Sequence, residues 1–269
     1  MLPWDDDTET STAISVRQSE ATKLLRSIKP GTVQVIFADP PYGIAYHSNH
    51  YKERNPHAPV SRDWNFQIGT FFQAAEEALA EGGALYVCCR WDVFPMWVLE
   101  IPGGLKLVNT IVWVKDNWSA GDLKGNFGFQ HEFIMMLVKG RHQLRGFRWS
   151  NVWEVPRVPS KKMLHPTEKP VALVQRAIAS SSSEGDLIVD PFCGSGVTGE
   201  AATNRKVILG DIDSKMIRIT CKRLGLPVPD GTEEESQPAP TCPVFQCIPP
   251  EPSLWGLHPE DLAYFKEPK

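Results

Sequence analysis

Between Lys169 and Leu224 the chain changes its hydrophobic period again and again: KPVALVQRAIA, DLIVD, GVTGEAATN, KVILGD, SKMIRITCKRL. The two short apolar runs, bounded by turn residues, read as buried strands, and the longer segments between them repeat at helical spacing. Strands alternating with helices of this size predict a parallel, doubly wound sheet with right-handed crossovers. The same rhythm runs upstream. TAISV (12–16) and VQVIFA (33–38) flank a helix in SEATKLLRSIKPG, with Leu24, Leu25 and Ile28 inward and Pro30-Gly31 as its end. FFQAAEEALAEGG reads as an amphipathic helix halted by Gly82-Gly83, followed by strands at ALYVCC, LVNTIVWV (107–114) and FIMMLV (133–138). The expected fold class is α/β: seven mostly parallel strands with helices on both faces.

With 269 residues the chain has room for one large domain of this kind, expected over 12–225. Residues 1–11 read as a flexible start, acidic and without the basic and apolar parts of a signal peptide. From 226 to 269 proline and glutamate dominate and periodicity vanishes, so a Pro/Glu-rich tail is expected. No apolar run approaches the roughly 18 residues of a membrane helix, and no membrane partner is expected. Cys88, Cys89, Cys193, Cys221, Cys242 and Cys247 form neither a disulfide framework nor a CxxC pair, which suits a reducing cytoplasm. No internal repeat is evident.

Two strand ends carry chemistry. DLIVDPFCGSGVTGEAA (186–202) is a strand, a glycine turn and a helix start. Gly194 and Gly196 let the backbone bend tightly and a ligand approach without a Cβ in the way. KVILGDID then ends a strand at Asp211, where a doubly wound fold places a ribose acceptor. GSGVTG lacks the third glycine at dinucleotide spacing, which lowers NAD or FAD and leaves a ligand with one ribose and a carboxylate. The second strand end is VIFADPPYGIAY, where Asp39-Pro40-Pro41-Tyr42 stops the strand with a rigid turn bearing an acid and an aromatic.

DPPY and DPFCGSG on one sheet resemble the S-adenosylmethionine-dependent amino-methyltransferases of DNA. DPPY preceding the glycine loop is similar to the permuted order of their β-group. NTIVWVKDN, QHEFIMMLVKG, NVWEVPRV and HPTEKPVALVQRAI match as well, so the resemblance runs from about residue 12 to 224. It implies a methyltransferase sheet with S-adenosylmethionine held by Asp190, Phe192, Gly194, Gly196 and Asp211, and with Thr167 and Lys169 by the methionine end. It also implies catalysis by Asp39, Pro40, Pro41 and Tyr42. One departure is plain: where the family often carries Gly-Asp after the first strand, this chain has Arg17-Gln18-Ser19.

An exocyclic amine delocalises its lone pair into the ring and is a poor nucleophile. Asp39 and the Pro40 carbonyl, accepting one amine hydrogen each, would localise that pair, and Asp39 would stabilise the charge that develops. Tyr42 offers a ring face to a flipped base. In the resembling family Asp in this motif goes with adenine N6 and Ser with cytosine N4, so adenine in double-stranded DNA is favoured, with cytosine N4 as the alternative. A catalytically silent DNA- or nucleoside-binding module is the reading of another class.

Although formal net charge is -4, residues 139–162 hold seven basic side chains against Glu154 alone. Arg141, Arg145, Arg148, Trp149, Arg157 and Lys161 are the candidate DNA contacts. The long His- and Arg-containing loop at 46–65, beside the catalytic motif, lacks metal-ligand spacing and reads as a lid over the flipped base; no metal is expected. The resemblance implies a bacterial or phage-encoded protein and a restriction endonuclease as its expected counterpart.

Overall fold

The computed structural model describes residues 13–42, 66–118, 125, 127–159, 161, 163–164 and 168–232. The terminal segments, the 46–65 loop and Thr167 lie outside the described residues. The elements are β1 (Ala13–Gln18), α1 (Ala21–Arg26), β2 (Val33–Ala38), α2 (Ile68–Ala78), β3 (Leu79–Cys89), α3 (Phe94–Leu99) and β4 (Leu105–Val114). They continue with β5 (His131–Lys139), β6 (Val152–Glu154), α4 (Val171–Ser181), β7 (Leu187–Asp190), α5 (Val197–Ala201), β8 (Lys206–Asp211) and α6 (Ser214–Leu224).

Sheet order is β1-β8-β7-β2-β3-β5-β4-β6. The first five strands are parallel, β5 runs antiparallel to β3 and β4, and β6 returns parallel to β4. The sheet therefore has eight strands rather than the expected seven. The extra one, β6, is three residues long, too short to show a period of two. It is held by pairing of Val112 with Val152 and Trp113 with Trp153, and both tryptophans are buried.

Alternate residues along each strand feed opposite faces. Val35, Phe37, Tyr86 and Cys88 join one core with α4, α5 and α6. Ile36, Ala38, Leu85, Val87 and Cys89 join the other, under α1, α2 and α3. Leu24, Leu25 and Ile28 are buried there, as the spacing predicts. The start of α1 is fixed by Glu20, whose carboxylate accepts the Thr22 and Lys23 amides, each at 2.8 Å.

Helix α2 ends four residues before the glycines expected to halt it. Its last carbonyls find a partner in the Lys139 ammonium, which donates to Glu76 O (2.7 Å) and Leu79 O (2.9 Å). Gly82 and Gly83 lie inside β3. A Cβ on Gly83 would stand 3.0 Å from Val33 O and 2.9 Å from Ala80 O, so that glycine serves close strand approach instead of helix termination.

Candidate active site

Asp39 directly follows β2, Asp190 ends β7 and Asp211 ends β8, so three carboxylates stand at the carboxyl edge of adjacent strands. From β7 the chain turns into α5 on one face, whereas the next helix after β2, α2, packs on the other. The gap between β7 and β2 is therefore the switch point at which an open α/β sheet receives ligands.

Asp39 is held from two sides. Tyr42 donates its hydroxyl to Oδ1 at 2.9 Å, and the buried Lys169 ammonium donates to Oδ2 at 2.6 Å. Lys169 also faces Glu132 Oε2 at 3.4 Å, while Lys115 pairs with Glu132 Oε1. Burial disfavours the Lys169 charge, but Asp39 and Glu132 outweigh it and raise the group above the ordinary lysine value. Burial likewise opposes ionisation of Glu132, and the two ammoniums overcome it and lower the carboxyl. Tyr42 is pushed well above its usual value by burial and then by the Asp39 charge, so its phenol stays a donor. Its ring lies 6.0 Å from that of Trp97.

The glycine turn is built on its own acids. Asp190 accepts the Phe192 amide at 3.0 Å and the Thr198 hydroxyl. Burial pushes it up to about 7, against the pull of those two donors. Asp211 accepts the Gly194 amide at 3.0 Å and the Asp213 amide at 2.9 Å, and burial pushes it up to about 6. Gly194 and Gly196 both have positive φ, +51° and +84°. A Cβ on Gly196 would press on Thr220 at 3.0 Å, whereas one on Gly194 meets nothing nearer than 3.9 Å. Gly194 thus leaves an open cradle at the strand tips, with the Asp211 carboxylate beside it, and these residues fit a nucleoside-bearing cofactor. Phe192 packs edge-on against Phe66 and Phe71, each at 5.4 Å, and so ties the turn to α2. Gln18 pairs in register with Asp211, which puts the Arg17-Gln18-Ser19 departure beside this cradle.

Four charged residues of the site escape motif reading. Glu132 and Lys115 belong to the Asp39–Lys169 cluster already described. Glu168 is buried and accepts the Leu164 amide at 2.8 Å and Arg223 Nη1 at 2.7 Å. Arg223 also reaches Glu200 (2.7 Å) and Ser195 Oγ (3.3 Å). Through it, the segment carrying Lys169 is pinned to the glycine turn. The signal lay in HEF, WVKDN and TEKP, but only the fold brings those charges together.

The basic segment is split. β5 runs from Glu132 at the Asp39 edge of the sheet to Lys139 at the opposite edge, on the order of 25 Å away at about 3.3 Å per residue. Arg141 and Arg145 follow Lys139 there: Arg141 O lies under Gly82, and the Arg145 amide bonds Ser180 O at the end of α4. The structure does not bring them to Asp39, because β5 carries the chain away from it. Arg148 and Trp149 sit on the return path, and the Trp149 ring is covered by the Arg176 guanidinium at 4.4 Å. Past β6 the chain is back at the edge that carries Asp39. There the Arg157 amide bonds Asp116 Oδ1 at 3.1 Å, and the Arg157 and Lys161 side chains are exposed.

Residues 33–222 match the N6/N4 methyltransferase family model, described as DNA methylase. Among curated relatives, the DNA adenine methyltransferase YhdJ of Escherichia coli is 28% identical over 258 residues, covering 82% of this chain and 86% of that protein. The type II methyltransferase M2.LlaDCHI of Lactococcus lactis is 30% identical over 77% of this chain and 87% of its own length. Among solved structures, the M1.HpyAVI–SAM complex superposes with a TM-score of 0.63 at 20% identity, covering 79% of this chain and all of that one. The cytosine-N4-specific PvuII DNA methyltransferase gives 0.62 at 15%, covering 79% and 87%. The sheet order and the two motif-bearing strand tips have the same explanation as these matches: the chain belongs to the N6/N4 DNA methylase family.

Proposed function

We propose that the chain methylates the exocyclic N6 of adenine in double-stranded DNA, with S-adenosylmethionine as donor. The observation that carries this reading is the Asp39 carboxylate, fixed by Tyr42 and Lys169 one strand away from an open glycine cradle. Gly194, Asp190, Phe192 and Asp211 would hold the donor, which supplies an electrophilic methyl group on a sulfonium.

The remaining work belongs to the protein. Asp39 accepts a hydrogen bond from one amine N–H and the Pro40 carbonyl from the other, so the nitrogen lone pair is localised and aimed across the β2–β7 gap. Positive charge grows on that nitrogen, and the Asp39 carboxylate is already in place to stabilise it. The Tyr42 hydroxyl keeps Asp39 oriented, and its ring is the platform on which a flipped base stacks, worth about 1–3 kcal/mol. Arg157 and Lys161, at the catalytic edge, replace Arg141 and Arg145 as the phosphate contacts nearest the reacting base.

Adenine is supported by Asp as the first residue of the motif and by the E. coli relative, a DNA adenine methyltransferase. The relatives named type II methyltransferases support a restriction endonuclease of matching specificity as counterpart, and their bacterial sources with DNA as substrate support a bacterial cytoplasm. The test is transfer of labelled methyl from S-adenosylmethionine to duplex DNA at low salt. Wild type transfers label and Asp39→Ala does not; cofactor binding without transfer to any DNA would overturn the reading.

A further inference from the structure

Glu132 has no part in the chemistry just described, yet it is the most constrained acid near it. Its Oε2 is buried without a hydrogen-bond partner among the described residues, a rare condition in native structures. What that oxygen has instead is the Lys169 ammonium at 3.4 Å, while the same ammonium stands 2.6 Å from Asp39 Oδ2. Lys115 anchors the other Glu132 oxygen. Two carboxylates and two ammoniums thus alternate in a line that ends at the catalytic acid. The line is neutral as a whole, which permits its burial.

We propose that Glu132 is a positioning residue for methyl transfer: it shares the Lys169 ammonium with Asp39, and so leaves Asp39 a directed acceptor with negative charge to spare. An ammonium serving Asp39 alone would compete at full strength with the incoming amine hydrogen. Shared between two anions, it holds the carboxylate in place while neutralising it only in part. The second anion also adds to the negative potential at the nitrogen as that atom becomes positive. The other titratable groups near enough to feel the Asp39 charge are Tyr42, Cys88 and Cys89 on opposite faces of β3, and Asp190 of β7. Burial keeps both thiols neutral, and Tyr42 is a neutral donor. Lys169 is therefore the one cation among these neighbours, and Glu132 is its second anion.

This inference rests on the adenine-methylation reading, and its test separates the two. In Glu132→Gln, which keeps the side-chain shape, the Lys169 Nζ resonance followed by nitrogen NMR at neutral pH moves from its wild-type position, because one of the two anions beside the ammonium is gone. The same variant loses roughly ten- to a hundredfold in kcat, the range a misplaced group costs, with cofactor affinity unchanged by calorimetry. An unmoved Nζ resonance overturns the proposal. So does Glu132→Gln working at the wild-type rate, or a cofactor affinity that falls as far as kcat. A wild-type protein that transfers no methyl to DNA refutes the functional reading instead, and the Nζ resonance still decides whether the ammonium is shared.

Discussion

Replacing Arg223 by alanine isolates the contact that pins the Lys169 segment to the glycine turn. The Glu168 side chain is 3% exposed, and Arg223 is its only cation among the ion pairs of the described residues. Stripping one partner from a buried pair costs about 3–5 kcal/mol, most of it the stranded charge. Glu168 keeps the Leu164 amide, so the expected loss is near the lower end, about 3 kcal/mol. The exposed Glu200 contact adds little. Equilibrium unfolding in urea reads the change. Adding Glu168→Gln should return at least about 1 kcal/mol, because the stranded group is then neutral. The dependence on pH follows from the same geometry. Burial raises Glu168, but the hydrogen bonds from Arg223 and Leu164 lower it further, so in the wild type it sits below the ordinary carboxyl value. The pair's contribution is then complete above the unfolded value of about 4.3 and is lost as pH falls through the lower folded value. In Arg223→Ala burial dominates and Glu168 rises, so the variant's deficit shrinks as pH falls below about 5. A loss under about 1 kcal/mol, or a double variant no more stable than Arg223→Ala, would refute the claim that a buried charge pair holds these segments together.

Three further outcomes follow from the same structure. Gly196→Ala should lose about 1–3 kcal/mol in thermal unfolding, since it imposes φ +84° on a residue with a Cβ and sets that Cβ 3.0 Å from Thr220; a neutral effect would mean the turn relaxes freely. Charge reversal of Arg157 and Lys161 should weaken DNA binding and reduce its salt slope by about 1 per site; the same change at Arg141 and Arg145 should do much less, and equal effects would move the DNA face. Asp190, raised to about 7 in the folded protein, binds protons the unfolded chain has released. Wild-type stability relative to Asp190→Asn should therefore decline as pH rises from about 4 through 7 and level off above, and a flat difference in urea titrations would contradict it.

The fold was legible because buried strands and amphipathic helices alternate cleanly: β1, β2, β7 and β8 fall within two residues of the apolar runs that announce them. β6 was not, because three residues carry no period and Trp153 reads equally well as a stacking residue in a basic loop. The end of α2 was misplaced because Gly82-Gly83 looks like a helix stop. The actual stop is supplied by Lys139, 60 residues away in sequence. In the site, DPPY and the glycine turn could be placed at their strand ends because each is local. Glu132 and Glu168 could not, since a buried ion pair is written in two distant segments and acquires meaning only when β5, α6 and the loop before α4 meet. The layout of the basic segment was hidden for the opposite reason: its charges are adjacent in sequence, but β5 carries Arg141 and Arg145 to the edge of the sheet away from Asp39.

Mass-spectrometric nucleoside analysis of duplex DNA incubated with the protein and labelled S-adenosylmethionine reads the acceptor base and the role of Asp39 in one assay. Label is expected in N6-methyladenine with the wild type and nowhere with Asp39→Ala. Label in N4-methylcytosine alone would contradict the adenine assignment, and unlabelled DNA beside protein that binds the cofactor would contradict catalysis by the Asp39 acceptor.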